Sequence, residues 1–249
     1  MMLFTKRSTI LIMDDASVNR SLPRANPQNG EDETPTTRKR MSVQDRERQI
    51  VEGAIGFFAR HGFDAQLRDL AKSIGVTHTL LYHYFPDKKA LVDRVYIEVF
   101  ESCWKSDWEK LLDDAAISCE DKFTRFYLDY AETVLTRDFV RILMFSGLTD
   151  QSITDRFFKL LRERLFPRLI RETRRFRQIK SRAQPSLAEH ELLMGLHGGI
   201  FYSAVRRWIY NQAVHSQSTQ AYDVDVIRNQ VRGYLQASLS LSNASSQIL

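Results

Sequence analysis

Between Thr77 and Lys88 the sequence concentrates side chains that donate and accept hydrogen bonds: Thr77, His78, Thr79, Tyr82, His83, Tyr84 and Lys88. Imidazole donates or accepts, and a threonine hydroxyl does both while its methyl can pack on a thymine methyl. A phenol donates to an oxyanion, and an ammonium pairs with one. Such a set suits the base edges and phosphates of a nucleic acid. Tyr82, Lys88 and Thr77 are matched to phosphates, which position a protein; His78, Thr79 and His83 are matched to base edges, which specify sequence. Arg68 can reach either, and Tyr82 and Tyr84 also fit a second role as packing for the small helical unit around them. The chain has no Gly-rich phosphate loop, no nucleophile elbow, no paired Glu-x-x-His and no His-Glu-x-x-His, so no catalytic residue, metal ligand set or cofactor is expected.

The spacing of apolar residues says how these side chains are held. Leu70, Ala71 and Ile74 lie one helical turn apart, and Gly75 follows where the chain must swing into a left-handed conformation. Val76 is expected as the buried plug of the turn and Thr77 as the N-cap of the next helix. In that helix Leu81 and Phe85, four apart, face inward. His78, Thr79, Tyr82 and His83 then face outward, with Leu80 and Tyr84 at the margins.

Upstream, Ile50, Ala54, Phe57 and Phe58 form a stripe that ends at His61-Gly62-Phe63, a glycine stop with a hydrophobic closure. Helix 1 therefore starts near Ser42, helix 2 covers about Leu67 to Ile74 and helix 3 about His78 to Tyr84. Asp87 caps a long helix from Lys88. Beyond it the period stays helical, over about Glu120 to Leu135, Phe139 to Phe145, Thr154 to Arg175, Leu187 to Asn211 and Val224 to Leu239. The fold class is all-α: a three-helix, helix-turn-helix DNA-binding domain at 43–92, then a larger helical domain at 93–249. Residues 1–42, rich in Pro and Asn with the acidic run Glu31-Asp32-Glu33, are expected to be disordered. Their end, Arg38-Lys39-Arg40, is either a basic arm along DNA or a solubilising linker.

The pattern Ile50, Ala54, Phe58, Gly62-Phe63, Leu70-Ala71, Gly75-Val76-Thr77, Leu81-Tyr82-His83-Tyr84-Phe85, Lys88 and Leu91 closely resembles the N-terminal domain of tetracycline-repressor (TetR) family transcriptional regulators. The resemblance spans Arg48 to Val95, about a fifth of the chain. The segment between Gly62 and Leu70 is one residue shorter than the commonest family spacing and lacks the usual Thr or Ser pair, leaving Asp64 or Gln66 to cap helix 2. Thr79 stands where many members have a small residue, so base preference does not transfer from relatives.

One such domain touches too few phosphates and bases for tight specific binding, which requires a homodimer on a palindromic double-stranded operator. A small-residue ridge of Gly195, Gly199 and Ser203, with Leu192, Leu196, Ile200 and Trp208 beside it, and a stripe of Val224, Ile227, Val231, Tyr234 and Leu235 are candidates for its four-helix interface, as the resemblance implies. The other reading of these faces is an intramolecular core. Family membership further implies a C-terminal pocket for a small-molecule effector, of identity unknown. Trp104, Phe123, Tyr127, Met144, Phe145, Phe157 and Phe201 are its candidate lining, each equally usable as core. His190, Met194 and His197 share a helical face that could meet a metal or polar ligand, and the arginines from Arg162 to Arg182 are either an anion site or a solvated face.

The formal charge of +5 permits a polyanionic partner, and 43% apolar residues suffice for a sizeable core. Cys103 and Cys119 have neither the number nor the spacing of a disulfide framework, which makes a reducing cytoplasm the expected compartment. The apolar run after Lys6 and Arg7 is too short for a signal peptide, and charges break every stretch that could cross a membrane. The reading is a regulator, more often a repressor, released by an inducer. Its alternatives are an effector-independent architectural DNA-binding protein and, further off, a helical-bundle enzyme.

Overall fold

In the computed structural model, the described residues are 41–181, 183–212 and 222–244, the last three of these by backbone alone. The Arg38-Lys39-Arg40 arm, Arg182 and nearly all of the expected N-terminal extension lie outside them. Among the described residues the regular elements are all helical, as the periodicity predicts.

The N-terminal unit is built by local chemistry. Ser42 caps α1 (Val43–His61), its hydroxyl accepting from the Asp45 N–H at 3.0 Å. Gly62 ends α1 at φ 73° and ψ −176°, a combination essentially confined to glycine. Helix α2 (Leu67–Ser73) begins at Gln66 with no side-chain cap; neither capping candidate supplies the bond expected of it. Gly75, at φ 69°, turns the chain, and the Val76 N–H closes the turn on the Ala71 carbonyl at 3.0 Å. Val76 itself is only half-buried, packed like Ile74 against the edge of the core rather than plugging it. Thr77 caps α3 (His78–Tyr84) through the Leu80 N–H at 3.1 Å, and Asp87 caps α4 (Lys88–Tyr96) through the Ala90 N–H at 2.7 Å.

α4 runs into a π-helical turn, Ile97–Glu101, and joins the larger helical part. There α5 (Ser106–Asp113), α6 (Cys119–Thr133), α7 (Arg137–Gly147), α8 (Ser152–Leu160) and α9 (Phe166–Phe176) precede the long α10 (Leu187–Trp208) and α11 (Val224–Ala244). A second π turn, Leu161–Leu165, links α8 to α9. The sequence period alone misses α5, and it merges α8, the π turn and α9 into one helix.

Two seams tie the N-terminal unit to the rest. α1 lies on α7, where Arg141 donates from Nε to the Ala59 carbonyl and stacks 5.5 Å from the Phe145 ring. α4 meets α8 through Arg156, bonded to Asp93 at 2.6 Å and lying 3.7 Å over the Tyr96 ring.

The structure decides between the two readings of the apolar stripes and shows how the arginine segment is paired. Ile227, Val231, Tyr234 and Leu235 are buried inside the chain, where α11 packs on α6 and α10. Leu196 and Ile200 are buried as well, and the Trp208 indole donates to the Leu135 carbonyl at 2.9 Å. Most of the bulk expected at a subunit interface is therefore intramolecular core. Within the arginine-rich segment, five arginines are answered by carboxylates of other helices. Arg164 and Arg168 hold Glu109 at 3.0 and 2.8 Å, and Arg171 holds Asp113. Arg174 and Arg177 share Glu189 at 2.6 and 3.1 Å.

Candidate nucleic-acid interface

Leu81 seats α3. It is fully buried, with Leu70, Phe58 and Leu91 in the same core, and Phe85 closes the far end at 6% exposure. With the inward side fixed, helical geometry turns His78, Thr79, Tyr82 and His83 to solvent, all exposed, while Leu80 and Tyr84 are half-buried. The Tyr82 ring is 41% exposed and meets His78 edge-on at 4.7 Å between centroids. Both residues are exposed on the outer face while in this contact. His83 and Tyr84 meet edge-on at 5.5 Å, with Tyr84 packed against the core. The packing role considered for the two tyrosines thus applies to Tyr84 alone.

An open cleft of about 370 Å³ lies beside this face, lined by Asp64, Ala65, Gln66, Leu67, Arg68, His78, Tyr82 and Lys88. It brings together four sequence-predicted residues: Arg68, at the start of α2, His78 and Tyr82 on α3, and Lys88 at the start of α4. Thr79, His83 and Tyr84 lie outside it, farther along α3, and Thr77 is committed to capping. The Lys88 ammonium donates to the Ala65 carbonyl at 3.0 Å. One of its three protons is thereby used to pin the loop before α2, and two remain for the cleft. Gln66 and Asp64 line the cleft without having been named as contacts. Their presence follows from the short loop after Gly62, whose path only the fold reveals.

The candidate effector lining is not brought together as a set. Phe123, Tyr127 and Phe157 are buried, and Trp104, Met144, Phe145 and Phe201 are half-buried. Phe145 faces the N-terminal unit, with Gly62 packed against its ring. Trp104 and Phe157 both line a narrow cleft, together with Phe100, Trp108 and Tyr130. Behind it, burial of the His197 imidazole pulls its pKa down to about 4, and burial raises those of Tyr127 and Tyr130. Among the described residues no three His, Cys, Asp or Glu side chains gather as metal ligands, His190 and His197 included.

With this geometry in place, comparison with known proteins is specific at the N-terminal unit. Residues 50–95 match the model of bacterial regulatory proteins of the tetR family. Among solved structures, a TetR-like transcriptional regulator from Rhodococcus sp. RHA1 is similar over 81% of this chain and 99% of its own, with 16% identity and a TM-score of 0.56. A tetR-family regulator from Streptomyces coelicolor matches over 82% and 85%, with 15% identity and a TM-score of 0.53. One from Thermus thermophilus matches over 75% and 97%, with 21% identity and a TM-score of 0.51. At such identities the likeness concerns the fold. No curated protein matches the sequence. Residues 50–95 therefore carry the helix-turn-helix of the tetR-family regulatory proteins, and the chain shares the fold of TetR-like regulators.

Proposed function

We propose that the chain works as a homodimeric repressor that reads a palindromic operator with α3 and leaves it when a small molecule occupies the larger helical part. In this reading 43–92 is the DNA-binding domain and 93–249 the effector and dimerisation domain. His78, Thr79 and His83 contact base edges. Arg68, Tyr82 and Lys88 grip phosphate around the cleft, with Thr77 and the free N–H groups at the start of α3 beside them.

The observation that carries the proposal is the outward row of His78, Thr79, Tyr82 and His83 on a helix whose opposite side is locked by Leu81. A row of exposed imidazoles and hydroxyls on so short a helix contributes little to folding, and its spacing suits a major groove.

Dimerisation is supported by the outer face of α10 and α11. At Gly195, Gly198 and Gly233 a Cβ would meet nothing within 4 Å beyond its chain neighbours and the helix's own backbone, and Tyr202 and Leu239 are 54% and 41% exposed. A face so small-grained lets a second copy approach closely. Two copies place two α3 helices on half-sites about one helical turn apart. No helix of the described residues is long and apolar enough to cross a membrane, in keeping with a regulator working in the cytoplasm.

Selection from a random duplex pool at physiological salt tests the reading. An enriched inverted repeat, bound by two chains, is expected. Salt-sensitive binding to all sequences alike would refute operator recognition and favour the architectural alternative.

A further inference from the structure

The core of the larger helical part holds an unusual group of polar atoms. Tyr127 Oη, Thr124 Oγ1 and His197 Nδ1 are buried and have no hydrogen-bond partner. Their side chains are at most 4% exposed. Tyr127 and Thr124 are three residues apart on α6, and the His197 ring on α10 lies 6.0 Å from the Tyr127 ring and 5.3 Å from that of Tyr130. Tyr130 Oη reaches His197 Nε2 at 3.5 Å. Each unsatisfied buried group costs about 1–3 kcal/mol, and folded proteins rarely keep one without use. Tyr127 and His197, whose rings adjoin, with Thr124 one helical turn back on α6, point to a guest that completes them.

Tyr130 connects this group to a way in. Its other side lines the narrow cleft with Phe100, Trp104, Trp108, Phe157 and Leu161. Phe100 belongs to the π turn after α4 and Leu161 opens the π turn after α8, so both walls contain a π turn, a feature frequent at functional sites. The cleft measures about 10 Å³, close to the least that holds one water molecule. A ring enters when the walls part, and its binding is linked to that separation.

The lining also limits the guest's charge. The two cations lying over the cleft's tryptophans are already engaged: Arg164, 4.5 Å over the Trp104 ring, bonds Glu109 at 3.0 Å, and Lys105, 5.7 Å from the Trp108 ring, bonds Asp129 at 2.7 Å. An ionised guest would lose its water and gain no counter-charge, which costs far more than a neutral one loses.

We infer that the Tyr127–Thr124–His197 group, entered past Tyr130, is the recognition end of an effector site for a neutral planar aromatic molecule carrying a hydroxyl. The ring packs against Phe100, Trp108 and Phe157, and the hydroxyl both donates to and accepts from the orphaned atoms. This rests on the proposed effector control and specifies its ligand class and its contacts.

Calorimetric titration of the full-length protein without DNA tests the inference with three probes of similar size: 4-ethylphenol, ethylbenzene and 4-ethylbenzoate. The expected result is one 4-ethylphenol per chain, bound about tenfold more tightly than ethylbenzene, the factor equivalent to roughly 1.4 kcal/mol, and no binding of the benzoate. Tyr127→Phe and Thr124→Val, which keep shape and remove an orphaned atom, should fold with unchanged or higher melting temperature. Each should reduce the phenol's advantage and leave ethylbenzene as it was. The inference is overturned if no probe binds, if the benzoate binds equally, or if Tyr127→Phe melts lower and leaves phenol binding intact, the signature of a structural water on Tyr127. These readouts contain no DNA, and operator binding by the unliganded protein is measured separately, so failure here leaves the DNA-reading proposal standing.

Discussion

Replacing Glu189 should weaken the fold more than any exposed charge would. Its carboxylate accepts from Arg174 Nε at 2.8 Å and Nη2 at 2.6 Å, from Arg177 Nη1 at 3.1 Å and from the Ser186 N–H at 2.9 Å. The Ser186 hydroxyl in turn accepts from the Glu189 N–H at 3.2 Å, completing a capping box at the start of α10. One carboxylate therefore fastens the end of α9, the start of α10 and the segment between them. The arginine side chains are 11% and 4% exposed and Glu189 is 11%, well short of a surface pair of median worth about 0–1 kcal/mol. Removing one member of such a pair costs about 3–5 kcal/mol in fully buried cases; partial exposure brings Glu189→Ala to about 3 kcal/mol, or a melting temperature lower by roughly 6–12 °C for a chain of this size. Hydrogen bonds from Arg174, with the nearby Arg177 charge, hold the Glu189 carboxyl at about 2, against 4.5 for a free glutamate. The depressed value means that the stabilisation is complete above pH 4.5 and fades as the pH falls toward 2. Urea unfolding of Glu189→Ala and Glu189→Gln at pH 7 and pH 3 measures both effects. A loss at pH 7 that shrinks at pH 3 is expected. A loss under 1 kcal/mol at pH 7, or one independent of pH, refutes the fastening.

Further outcomes follow from other sites. Burial holds the His197 imidazole at about 4, so as the pH falls below about 6.5 the unfolded chain takes up a proton that the fold resists. Stability then drops between pH 6.5 and 4, and His197→Leu should flatten that slope in pH-dependent unfolding. Gly62→Ala should cost about 3 kcal/mol, since φ 73° with ψ −176° is closed to alanine and the new Cβ meets the Phe145 ring at 3.1 Å. Gly75→Ala, with open space around it, should cost only about 1–2 kcal/mol for its positive φ, as chemical denaturation of the pair will show. On DNA, His78→Ala should relax base preference at one symmetric position, whereas Lys88→Met should weaken all sequences alike and reduce the salt slope by about one. Equal losses in both variants on every sequence would refute the division between base and phosphate contacts.

The parts legible in the sequence are those set by near neighbours. The Gly75 turn, the Thr77 and Asp87 caps and the inward Leu81 each depend on residues within about a turn, and the structure has them at the predicted positions. The misread parts depend on chain that is distant in sequence. Glu109 and Arg168 are 59 residues apart, so nothing local announces that Arg168 is already paired. The apolar stripe of α11 is equally suited to a partner's helix or its own chain's α6, and periodicity cannot choose between them. Helix α5 has only Trp108 and Leu112 buried and no side-chain cap, too little signal for a sequence period. The unsatisfied Tyr127 and His197 were visible only as an aromatic and a histidine, since the absence of a partner is a property of packing.

The claim that α3 reads sequence is tested most directly by its outer face. Binding of a selected duplex should be measured by fluorescence anisotropy for the wild-type chain and for a His78→Ala, Thr79→Ala, His83→Ala triple variant, with helicity and melting temperature as controls. The account predicts an unchanged fold and, for loss of two or more base contacts worth about 1–3 kcal/mol each, specific affinity at least about thirtyfold weaker with non-specific affinity nearly unchanged. A triple variant that folds and still binds the selected duplex as tightly and as selectively as the wild type would contradict it.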